Sequence, residues 1–195
     1  MSAFARSALC TVGVCLLASA STLAFAQGAM PAAPAKPAVG TAIAPADVYG
    51  KLLDGLETNF VSAAEAMPEA KFDFAPPATL GEFKDVRTFA GEVKHVAQAN
   101  AYFFHDPTTP LVDTRADYAK LKTKAEIIKS LKESFALAHT YISAITAENA
   151  FVMTASGTRA GTAAMGLAHM NDHYGQMVVY LRMNGIVPPA SVPKK

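Results

Sequence analysis

TRAGTAAMGLAHMNDHYGQMVVYLRMNG, residues 158–185, reads as one long helix. It starts near Thr158 and runs to about Asn184. Gly185 supplies the C-terminal stop, and Pro188-Pro189 reinforces it. Within it, Thr162, Met165, His169, His173, Gln176 and Tyr180 recur every three or four residues and form one narrow stripe. Away from that stripe the segment is apolar almost all round, apart from Asn171 and Arg182. A helix of that kind is expected to be mostly buried. Buried polar groups without partners cost several kcal/mol. A metal ion would satisfy the stripe, and so would an ordinary network of hydrogen bonds.

Working back along the chain, Thr123-Lys124-Ala125-Glu126 is a capping-box sequence. The helix it opens is expected to reach about Ala147, with Ile127, Ile128, Leu131, Phe135 and Leu137 on its apolar side. Another helix is expected from Thr88, a plausible N-cap, to Phe104, ended by His105-Asp106-Pro107. The first begins near Ala46, carries Val48, Leu52, Leu56, Phe60 and Ala63 at intervals of three or four, and stops at Pro68. Residues 68–87 and 106–122 read as long irregular connections. No segment sustains the period-two alternation of a strand. Four helices without strands predict an all-α four-helix bundle with two long inter-helix loops.

The ends divide differently. Residues 1–26 carry one charge, Arg6, then an apolar stretch from about Ala8 to Ala20, then Ala24-Phe25-Ala26. This is the pattern of a cleaved signal peptide, so an exported protein, periplasmic or secreted, is expected. Residues 27–45 alternate Pro and Ala and read as a mobile linker. Residues 46–191 form the helical domain, and 192–195 are a tail.

Both cysteines, Cys10 and Cys15, fall in the signal segment, so the mature chain is expected to lack disulfides and thiolate ligands. Arg6 is one of 17 Lys and Arg, and without it the basic residues match the 16 Asp and Glu. A balanced chain lacks the footprint of a nucleic-acid or anionic-membrane binder. No stable membrane insertion is expected once the signal is removed. A small-molecule ligand and a homodimer are compatible with the sequence.

His169 and His173 lie one turn apart and about 40 degrees apart around the helix, within reach of one ion. Imidazole suits zinc, nickel, copper and iron. The same pair would also serve as surface or core histidines. Met170 stands where a His-Glu-x-x-His protease needs its glutamate. Asp172 could steady a ligand or simply face water. A third ligand is sought elsewhere, and His95, mid-way along the second helix, is the best placed, with His105 and His139 in reserve. Three neutral imidazoles leave coordination positions open, as in catalytic sites. Glu92, Gln98, Tyr102, Gln176 and Tyr180 are candidate pocket residues. A Gly-rich phosphate loop, a Cys-x-x-Cys-His haem motif and a pair of Glu-x-x-His motifs are all missing.

Two stretches carry a resemblance. MPEAKFDF (67–74) with RTFAGEVKHVA (87–97), and TRAG (158–161) with LAHMNDHYGQMVVYLRMNGIVPP (167–189), resemble the front and back halves of DinB-like proteins. The resemblance implies a bundle of the DinB and YfiT type over about residues 48–191. It also implies a three-histidine site, with one ligand from the second helix and two from the last. His95, His169 and His173 match those positions and would hold one divalent ion, zinc, nickel or iron. Members of this family are linked to metal-dependent hydrolase and thiol-transferase chemistry and to maleylpyruvate isomerisation. A metal-dependent hydrolase or transferase is therefore expected. A non-catalytic metal or small-ligand binding module and a purely structural bundle are the alternatives. Export weakens the thiol-transferase expectation, because low-molecular-weight thiols are cytosolic.

Overall fold

Three of the four long helices start on a side-chain cap. Thr88 Oγ1 accepts from the Gly91 amide and Thr158 Oγ1 from the Gly161 amide. At Thr123 the capping box is complete: Thr123 Oγ1 accepts from the Glu126 amide, and the Glu126 carboxylate accepts from the Thr123 amide. Pro45 opens the first helix at a position where a missing amide proton costs nothing. The structure, a computed structural model, describes residues 36–193. The expected signal segment, the linker up to residue 35 and the last two residues lie outside the described residues.

The chain divides into two units, Met1–Gly40 and Thr41–Lys195, and the second carries every helix and strand described. The helices are α1 (Pro45–Ala66), α2 (Phe89–Phe103), α3 (Arg115–Lys120), α4 (Lys124–Ser143) and α5 (Arg159–Met183). A two-residue antiparallel pair, β1 (Met153–Thr154) and β2 (Gly157–Thr158), precedes α5. Among the described residues no helix is long and apolar enough to cross a membrane.

Four helices form the bundle, each touching two others: α1 and α2 both pack on α4 and on α5. α1 and α2 therefore sit on one diagonal, and α4 and α5 on the other. Directions follow from the side chains that meet. Lys132 pairs with Glu65 and His139 with Glu57, so α1 and α4 are antiparallel. Glu92 meets His173 and His95 meets His169, so α2 and α5 are antiparallel. Asn100 meets Ser134 and Phe104 meets Tyr141, so α2 and α4 run the same way. Adjacent parallel helices need a return the length of the bundle, which accounts for the long stretch between them. Diagonal neighbours likewise need long connections, which accounts for the stretches after α1 and after α4.

These connections are ordered. The first contains 3-10 turns at Glu69–Lys71 and Ala78–Leu80, and its Phe72 and Phe74 carbonyls accept from the Ala90 and Phe89 amides. The second contains α3, which packs on α2. Both had read as irregular. Helix α4 ends at Ser143, short of the expected Ala147, because Thr146 and Asn149 form a reciprocal turn with exchanged side-chain bonds. At the end of α5, Gly185 adopts φ 75 and the Ile186 amide reaches back to the Leu181 carbonyl.

The core is Phe60, Phe89, Phe135, Leu131, Met170, Met177 and their neighbours. Three sequence expectations need correction. In α1, Leu53 is buried, whereas Val48 and Leu52 are exposed. A repeat of four drifts about 40 degrees per step, so the early members of that series leave the core face. In α4, Leu137 is exposed and Ala138 takes the inward position. In α5, only one side is buried: Met165, Val179 and Met183 face outward together with Asn171, Asp172 and Arg182, and Gly161, Ala164, Ala168 and Gly175 between them look apolar but bury little.

Candidate metal centre

The buried arc of α2 is Phe89, Val93, Val96 and Ala97. Its adjoining face, which carries Glu92, His95 and Ala99, meets α5. On α5, Leu167, Met170, Met177 and Leu181 fill the core, which turns His169 and His173 toward α2. Gly166 lets the two helices close up at this end: a Cβ there would lie 2.4 Å from Phe104 Cζ.

The three histidines converge. His95 Nε2 lies 3.1 Å from His169 Nε2. One ligand atom from each of His95, His169 and His173 falls within 4.8 Å of the others. His173 Nδ1 donates to Glu92 Oε2 at 2.5 Å, and both side chains are almost fully buried. That bond fixes the tautomer, leaving His173 Nε2 with its lone pair. Burial, with the Arg87 guanidinium next in weight, holds His95 far below the usual histidine range, at about 4. Burial and the neighbouring His173 push His169 down as well. Both are therefore neutral at pH 7, the form a metal requires. His169 Nδ1 is buried and lacks a hydrogen-bond partner.

This donor set fits a divalent ion. Two nitrogens each about 2.0–2.1 Å from a tetrahedral ion sit about 3.3 Å apart, close to the spacing of His95 and His169. Two ring nitrogens that face each other at such a distance need a proton or a cation between them.

Beside the triad lies a cavity of about 510 Å³. His95, Gln98, Tyr102 and Phe103 line one side, with His169 beside them. Leu111, Val112 and Arg115, from the return between α2 and α4, form the facing wall.

Residues 52–177, from α1 well into α5 and including all three histidines, match the model of the DinB superfamily. The chain belongs to the DinB superfamily. No curated protein matches it significantly.

The other expected pocket residues of this DinB-superfamily chain separate into two groups. Gln98 and Tyr102 share the cavity with His95 and His169. Glu92, Gln176 and Tyr180 line a second depression beyond His173, together with Arg87. Tyr180 donates to the Arg87 carbonyl, and Gln176 to Asp172, which is exposed. The reserve histidines are elsewhere: His105 bonds the Tyr102 carbonyl at the end of α2, and His139 pairs with Glu57 on α1. Sequence reasoning missed the bond of Glu92 to His173, although their helical positions were known. It also missed Arg87, Lys94 and Arg115 around His95. Arg115 gave no local signal, since only the path of the return brings it there.

Proposed function

We propose that this DinB-superfamily protein binds one divalent metal ion through His95, His169 and His173 and presents it to a small molecule in the adjoining cavity, as a metal-dependent hydrolase or transferase. The observation that carries this reading is the convergence of three imidazoles, two of which, His95 and His169, line that cavity, with His173 held by a buried carboxylate. An ion bound there would supply Lewis acidity. Glu92 orients His173 and balances part of the added charge. Gln98 offers hydrogen bonds to a ligand, and Phe103, Leu111 and Val112 exclude water from it. Zinc, nickel and iron all accept imidazole.

A binding module without turnover is the second reading. Glu92 is committed to His173, and Asp113, the carboxylate lining the cavity, is committed to Arg115. Neither is free to act as a general base.

Export is part of the proposal and rests on residues 1–26 alone.

Elemental analysis of untagged protein, beside a His169→Ala/His173→Ala variant, tests the reading. About one equivalent of metal, lost in the variant, is expected. An absence of metal in the parent even after incubation with zinc or nickel would reduce the histidines to packing residues.

A further inference from the structure

Beside His95 the metal centre adjoins a cationic groove. A groove of about 260 Å³ runs along α2 and α3 and is lined by Arg87, Lys94, His95, Gln98, Arg115 and Tyr118, with no carboxylate among its lining residues. It shares His95, Gln98 and Arg115 with the larger cavity, so the two adjoin at the site. Arg115 is already engaged, in a two-point ion pair with Asp113. Arg87 and Lys94 make no side-chain ion pair or hydrogen bond among the described residues, and they stand within one helical turn on either side of Gly91. The far half of the combined space is apolar, walled by Phe103, Leu111 and Val112.

We infer that the ligand of this site is a small organic anion, with its apolar body between Phe103 and Leu111–Val112 and its carboxylate-like head held by Arg87 and Lys94. Several features support the assignment. Arg87 and Lys94 have no ion-pair partner among the described residues, and of the two carboxylates that line the depression on the other side of Arg87, Glu92 is committed to His173 and Asp85 makes no ion pair with it. A guanidinium and an ammonium bind a planar carboxylate by charge-assisted hydrogen bonds, which are roughly twice as strong as neutral ones. The shared lining places the head and the body on opposite sides of Gln98, which spans the junction. The inference rests on the proposed metal site only for its place in a reaction, since the cations and the apolar wall are present without the ion.

The test is titration calorimetry with phenylacetate and its neutral isostere phenylacetamide. It uses the parent, an Arg87→Gln/Lys94→Gln variant and the His169→Ala/His173→Ala variant, with circular dichroism to verify folding and metal content measured on each. Phenylacetate is expected to bind the parent about ten-fold more tightly than the amide. That preference should vanish in Arg87→Gln/Lys94→Gln while amide affinity and metal content stay unchanged, and it should persist in His169→Ala/His173→Ala. Equal binding of the two probes, or no saturable binding of either in the low-millimolar range, overturns the inference. So does a preference that survives Arg87→Gln/Lys94→Gln but is lost with the histidines, because the ion would then hold the carboxylate. A parent that carries no metal yet keeps the preference would sink the metal reading and leave this one standing.

Discussion

His173 Nδ1 donates to Glu92 Oε2 across the α2–α5 interface, and both side chains are buried. The bond does two things at once. It gives a buried carboxylate a partner, and it presents the opposite nitrogen of the ring as a lone pair.

Glu92→Gln keeps the shape and removes the charge. The imidazole can still be held, but its basicity falls. Metal affinity, measured by competition with a chromogenic chelator, is expected to drop about ten- to a hundred-fold. An unchanged affinity would mean that His173 does not bind the ion.

Acid should destabilise the metal-free protein in a defined window. His95 has a folded-state value near 4 against an ordinary value of 6.5, and His169 is shifted the same way. Between those limits the unfolded chain binds more protons than the native one, so stability is intact above about pH 6.5 and falls as the pH drops toward 4. The melting temperature of the apo protein should follow that course, and the slope should be shallower in His95→Gln. A flat profile in the parent would contradict the buried, neutral state assigned to these rings.

Leu52 and Leu53 are neighbours with opposite fates. Leu53 is fully buried and Leu52 is about half exposed. Leu53→Ala should cost about 2–5 kcal/mol of unfolding free energy in urea, and Leu52→Ala less than about 1 kcal/mol. Equal effects would place the α1 rotation in error.

Gly166→Ala adds a methyl group where the Phe104 ring already stands. The ring is buried against Tyr141, so it must push α2 and α5 apart at that end. The expected loss is about 1–3 kcal/mol. Weaker metal retention should accompany it, since Gly166 lies one turn before His169. Thermal melting and metal content on the same sample measure both.

Much of this was legible in the sequence. Thr88, Thr123 and Gly185 mark helix ends by local chemistry, and local chemistry is what a linear reading sees. The stripe holding His169 and His173 was visible as spacing, and the resemblance supplied the matching position of His95. The error in α1 arose because a four-residue repeat is only approximately helical, so Leu52 and Leu53 compete for one inward direction until packing chooses. The hydrogen bond from His173 to Glu92 needed the antiparallel register of α2 and α5, which no local rule encodes. The cationic groove needed more, because Arg115 reaches it only through the course of the connection after α2.

That connection has a consequence of its own. Because α2 and α4 are parallel neighbours, the chain must travel the length of the bundle between them, and in doing so it lays Leu111, Val112 and Arg115 over the histidines. The segment carries no buried core residue between Phe104 and Ile127. One wall of the cavity is thereby written in a stretch that gives the bundle only the partly buried Tyr118 and Leu121. The wall of the cavity is an exchangeable part, and grafting a different return between Phe104 and Thr123 would re-tune what the site accepts while the four helices stay as they are.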